Sequence, residues 1–349
     1  SHFKEEYDRY PRADGTYKQG VAQRRAAITE ATQVYALVTE FLDSYCRLHG
    51  LIDAPPQTAM ETARMRFNRD LHAETANHSA LNARVLGPVG ATAELLWTSA
   101  MTFAGMPPEH EKPLFALMNR AQRDDNPALA PSVAGFARAL NNTLLVTARA
   151  TPARQRFPPH SRTWRGGGFG IPGHATLSPE ALLTFFTPGQ TYRVPGCLAT
   201  SFDEAVANDF INDTIQEGAT CTCKWIVVCD TSPQPSPRTH THVLLLKWLV
   251  NACAQHFHPN GNRRDAAGAR NPAFDDSVRV KHVNYISNSH IMDANSQPRE
   301  AEYLFAPYSV FTVRAVTRGT GTDPTHVIEL DPAPDNALEP EDLPLAPWY

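Results

Sequence analysis

At PARQRFPPHSR, Pro152–Arg162, the periodicity of the chain changes. Upstream, apolar residues recur every three or four positions; Val34, Leu37, Val38, Phe41, Leu42, Tyr45 and Leu48 make one face of a helix within 17–51, which Gly50 and Pro55-Pro56 end. Further helices are expected over about 58–76, 91–104, 111–123 and 132–147, the last capped by Ser132. Downstream come short β-rich runs at 163–165, 190–194, 198–202, 224–229, 278–286, 300–305 and 310–316. Only two helices are expected among them, at 178–186 and 203–215, with Ser178 and Asp203 as polar caps. A chain ordered this way is α+β: a helical lobe over 1–150, then a mostly β lobe over 151–330. Loops around 231–276 look like an insertion. The acidic, proline-rich end at 331–349 is either a solvated tail or one docked through Leu343, Leu345, Trp348 and Tyr349.

Composition narrows the partners. A net charge of −4 and the lack of a long basic run argue against nucleic acid. No apolar run reaches the roughly 20 residues a membrane helix needs; the longest, Val243–Ala254, is broken by Lys247. Six cysteines share no zinc-ligand spacing, and Cys221 and Cys223 read as alternate structural residues of a strand. The histidines at 240, 242, 256 and 258 lack an assured partner, so no metal is expected.

Three elements of the β lobe carry chemistry. In TWRGGGFG, Arg165 ends a strand before a glycine-rich turn, and an arginine beside close-approaching backbone suits a phosphate. GCLATSFDEAVANDF is a strand with Thr200 and Ser201 running into a helix. In PREAEYLFAPYSVFTV, period-2 alternation puts Glu300, Glu302 and Leu304 on one strand face. Two neighbouring carboxylates raise each other's pKa and call for a compensating ligand.

The ordered trio resembles the mono-ADP-ribosyltransferases of the Arg/Ser/Glu class, those with a Glu-x-Glu motif that include binary toxins and arginine-specific enzymes. TWRG at 163–166, GCLATSF at 196–202 and EAEYLFAPYSVFTV at 300–313 match the family patterns in chain order. The resemblance implies a split β-sandwich and a NAD-dependent transferase, with nicotinamide released. Arg165 would hold a NAD phosphate. Glu302 would stabilise the sugar cation, and Glu300 would orient or deprotonate the acceptor, expected to be an arginine of a protein substrate. Gly166, Thr200 and Ser201 would line the cofactor site, with Phe202 or Phe210 stacking on the nicotinamide. Residues 287–299 would read the target. A monomer acting inside cells, either resident there or delivered as an effector, is expected. Ala199 stands where the family pattern has its first serine, so Thr200 or Ser201 must replace it or the site is slower. NAD hydrolysis, or a NAD-binding interaction protein with weakened turnover, are the alternatives.

Overall fold

Helix α2, Ala31–Leu48, buries Val34, Val38, Phe41, Leu42 and Tyr45, so the sequence stripe is its packed face. The computed structural model describes residues 2–8, 28–51, 89–90, 92–98, 107, 110–141, 162–171, 179–228, 283–287, 301–321, 324–333, 336 and 339–346. Outside them lie the helix expected at 58–76, the whole insertion at 231–276, the loop at 288–299 and Glu300. Helix α2 starts at Ala31 rather than near residue 17, because Glu30 is extended; Gln33 Oε1 accepts the Thr29 and Glu30 backbone N–H groups there at 2.7 and 3.0 Å.

Around it pack α1 (His2–Asp8), α3 (residues 92–98), α4 (Leu114–Arg123) and α5 (Ala130–Asn141). Ser132 is not the cap of α5: the helix begins two residues earlier and Ser132 is buried. The Asn126 carbonyl leads in instead, accepting the Leu129 and Ala130 N–H groups at 3.1 and 3.0 Å. The Asp125 carboxylate caps α1, accepting the His2 and Phe3 N–H groups at 2.9 Å each.

The second part contains β1 (Arg162–Phe169), α6 (Pro179–Phe185), β2 (Thr191–Val194), β3 (Leu198–Ser201), α7 (Glu204–Gln216) and β4 (Cys221–Val228). Strands β5 (Val283–Ser287), β6 (Ala301–Phe305), β7 (Ser309–Thr317) and β8 (His326–Pro332) complete it. The fold is α+β, a helical group with a sheet ordered β2-β7-β8-β4-β1-β3-β6-β5. Only Trp164↔Ser201 joins β1 to β3, whereas β1 pairs with β4 along its whole length. The sheet is therefore nearly split there into wings of five and three strands.

Alternation along the smaller wing sorts its side chains between two cores. Leu198, Tyr303 and Phe305 face an apolar cluster with Tyr192, Trp225 and Phe311 of the larger wing. Leu304, with Cys197 and Ala306 at the strand ends, joins the cluster built by the helices, against which Ala199 also packs. One wing is thus covered on both faces, and its helix-facing side carries position 302.

Two expectations change here. The glycines of RGGGF do not form a turn; they lie inside β1, paired in register with Thr222–Lys224. Strand β8 was not expected, and it takes in Glu329 and Asp331 of the acidic stretch, Asp331 pairing with Arg314 at 3.5 Å. Near the chain's end, residues 344–346 dock through main chain, with Ala346 buried and Leu345 bridging to Arg193; the Leu345 side chain expected as an anchor is 41% exposed, and Trp348 and Tyr349 lie outside the described residues.

Candidate functional site

Where the two wings part, the structure holds a cavity of about 310 Å³. Strand register builds one wall. Ser201 sits directly opposite Glu302, and Ala199 opposite Leu304, so residues 199, 201 and 302 look toward the helices. Arg165, from β1 across the split, donates from a guanidinium nitrogen to the Ala199 carbonyl at 3.0 Å, which ties the two wings together at the cavity. An arginine held by a main-chain bond presents a planar fork in a defined direction.

Helix α7 closes the second side. Asp203 caps it, its carboxylate accepting the Ala205 N–H at 2.9 Å, and Ser201 Oγ accepts the Asp203 N–H at 2.9 Å. The cap sets where the helix starts, and hence which residues, Val206, Ala207 and Phe210, line the cavity. Gly166 lets α7 lie directly against β1, since a Cβ there would stand 1.8 Å from the Ala207 carbonyl oxygen. Lys224 pairs with Glu204 at 2.9 Å on the same helix.

The third side comes from the helical group: Trp97 and Thr98 of α3, Pro113 before α4, and Phe115 and Asn119 of α4. Cys197 also opens onto the cavity, and burial together with the Glu302 carboxylate pushes its thiol pKa far up. It is held as a neutral thiol.

Of the residues singled out in the sequence, Arg165, Gly166, Thr200, Ser201, Phe210 and Glu302 line this cavity. The Thr200 hydroxyl is spent on the Tyr303 carbonyl at 3.1 Å. Phe202 is not a lining residue; it packs edge-on against Tyr303, ring centres 4.5 Å apart. Glu300 lies outside the described residues. Sequence inspection missed Trp97, Phe115, Asn119 and Trp164. Trp164 adjoins Arg165, and that adjacency was a signal; the helical residues offered none, because their neighbours in the site are far away in the chain. Among the described residues no group of three or more His, Cys, Asp or Glu is arranged for a metal, and no helix is long and apolar enough to cross a membrane.

A site made of one arginine, one carboxylate, three hydroxyls and four aromatic rings suits a substrate with an anionic part and a planar part. The sequence matches no family model and no curated protein. Among solved structures the chain is similar to the ADP-ribosyltransferase HopU1 of Pseudomonas syringae pv. tomato DC3000, at 12% identity over 76% of this chain and 87% of that one, with a TM-score of 0.40. It is also similar to the Vis toxin, an ADP-ribosyltransferase from Vibrio splendidus, at 13% identity over 91% of this chain and 92% of that one, TM-score 0.32. A third likeness is to exoenzyme S of Pseudomonas aeruginosa, solved with human 14-3-3 protein beta and carba-NAD, at 12% identity over 83% of this chain and 96% of that one, TM-score 0.38.

Proposed function

We propose that the chain transfers ADP-ribose from NAD to a protein side chain, arginine being the acceptor we expect, and releases nicotinamide. The observation that carries this reading is the convergence of Arg165, Ser201 and Glu302 on one cavity, from β1 on one side and β3 and β6 on the other of a split where β1 and β3 meet at a single residue pair. Supporting it, the cavity combines an anion-binding fork, a carboxylate and aromatic faces, which are the groups NAD requires at its phosphates, ribose and nicotinamide.

In this reading NAD is the substrate and the protein supplies position and charge. Arg165 holds a phosphate and fixes the dinucleotide against β1. Glu302 presents its carboxylate where positive charge develops on the ribose as the bond to nicotinamide breaks, in a site partly shielded from water. Nicotinamide leaves neutral, taking the bonding pair. Glu300, immediately before β6, takes the proton of the incoming nucleophile or orients it. The test is incubation with radiolabelled NAD and cell lysate, comparing the protein with Glu302→Ala. The expected outcome is label on protein and released nicotinamide, both reduced by on the order of 10²–10³ in the variant, the scale for losing a preorganised charge-stabilising group. Nicotinamide release without label would point to hydrolysis; neither product would overturn the proposal.

A further inference from the structure

One face of α7 leads from the cavity onto open surface. Burial of Ala207 and Ile211 fixes the rotation of the helix, which puts Val206, Phe210, Asp213 and Glu217, spaced by three and four, in one row. Val206 and Phe210 line the cavity, yet Phe210 is 48% exposed, so its ring belongs to the cavity rim and to the surface at once. Asp213 and Glu217 continue the row for about 10 Å past it. The acids work against the helix that carries them. From Asp203 to Glu217 there are five acids and no basic residue. The cap accounts for Asp203 and the Lys224 pair for Glu204, but among the described residues Asp209, Asp213 and Glu217 have no cationic partner. These three are spaced four apart, where like charges repel, and the last two stand at the C-terminal end, where the helix dipole is already negative.

Resting on the transfer reading above, we infer that this face of α7 docks the protein substrate, through a basic segment with an apolar side chain that seats on Phe210. Cations of the segment offset the repulsion along 209–217, and its apolar side chain covers the exposed ring. The same contact delivers the segment to the cavity, because Phe210 is shared between surface and rim. A polyanion would be repelled here, so the occupant is a protein and not a nucleic acid. Ile215 is 51% exposed on the same helix, but five residues from Phe210 is about 140° around the axis, so it lies outside the docking row.

The first measurement is fluorescence anisotropy with a short labelled peptide of lysine, arginine and leucine, at low salt and without NAD. Asp213→Lys combined with Glu217→Lys should weaken binding about tenfold, the scale of a few exposed charge pairs, and the difference should shrink as salt rises. Phe210→Ala should weaken it by about the same factor, the scale of an interface anchor, while Ile215→Ala leaves it at the native value. The second measurement uses radiolabelled NAD. With limiting lysate protein the double charge variant should label about tenfold less, yet release nicotinamide from NAD alone at the native rate. Its unfolding midpoint should be no lower than native, since the change removes repulsion within α7. Native peptide affinity in the charge variant or in Phe210→Ala, an equal loss in Ile215→Ala, or undiminished labelling overturns the docking face and leaves the transfer reading standing. A native chain that neither labels protein nor releases nicotinamide removes the transfer reading, and the docking role with it.

Discussion

Gly166 is the point at which α7 touches β1. A methyl group there would lie 1.8 Å from the Ala207 carbonyl oxygen and 3.0 Å from Ile211, and backbone cannot swing aside as a side-chain tip can. Gly168, two residues on and facing the same way, would meet Thr214 and Ala219 at under 3 Å. The alternation explains why the strand has glycine at both positions: α7 rests on one face of β1. Gly167 faces the other way, where a Cβ would come 3.2 Å from the Trp225 ring edge, a contact that a few tenths of an ångström relieves. Gly166→Ala should therefore lower the unfolding free energy by about 3 kcal/mol, the upper part of the usual cost of overpacking, and Gly167→Ala by distinctly less. Urea unfolding of the two variants measures this, and equal losses would contradict the assigned faces. The triple glycine was visible in the sequence, but its meaning was not. A run of glycines reads locally as a turn, and only the helix lying on it shows that the missing side chains serve packing.

At the C-terminal end of α2, the Tyr45 hydroxyl and His110 Nδ1 are 2.9 Å apart, and the His49 ring lies 4.4 Å from Tyr45 and 4.7 Å from His110. Burial, the neighbouring His110 and Arg120 lower the pKa of His49, while Asp124 partly opposes them. In the larger wing, burial and Arg318 lower His326, whose Nδ1 accepts the Gly319 N–H at 3.1 Å and must stay unprotonated to do so. Both histidines prefer the neutral form when folded, so the unfolded chain binds more protons as pH falls. Their contribution to stability is complete above the ordinary imidazole value of 6.5 and is lost on acidification through 6.5 toward the lower folded values. Urea midpoints measured from pH 7.5 down to pH 5 should fall for the native chain. They should fall less steeply for His49→Gln combined with His326→Gln, and identical slopes would refute this account. Elements of this kind were legible where local signals suffice: α2 and α4 from their apolar stripes, α7 from Asp203, β6 from its alternation. Strand β8 was hidden because its acids, Glu329 and Asp331, resemble the acidic stretch that follows.

At the scale of the molecule, the order of helices before strands was readable because each element declares its own periodicity. The split between β1 and β3, and the wall that α3 and α4 add to the cavity, depend on pairings between residues far apart in sequence, for which a single chain carries no local mark. The end of the chain is the clearest case, since its fate is decided by Arg193, more than a hundred residues upstream. Arg193 is only 7% exposed, and its guanidinium donates to the carbonyls of Tyr308 at 3.0 Å, Glu339 at 3.0 Å and Pro340 at 2.8 Å. Its main chain adds two more bonds, donating to Pro344 and accepting from Ala346 at 2.8 Å each. Several carbonyls converging on one buried cation need a planar fork with donors on three nitrogens, which lysine cannot supply. Arg193→Lys keeps the charge and removes only that geometry, so it should cost about 2–3 kcal/mol, the scale of hydrogen bonds to a charged group. Limited proteolysis should then cut within 333–346 in the variant while the native chain resists. Since neither Arg193 nor any described residue of this strap lines the cavity, dinucleotide affinity should stay at the native value. A strap that stays protected in Arg193→Lys would show that the main-chain pairing and buried Ala346 are enough to hold it.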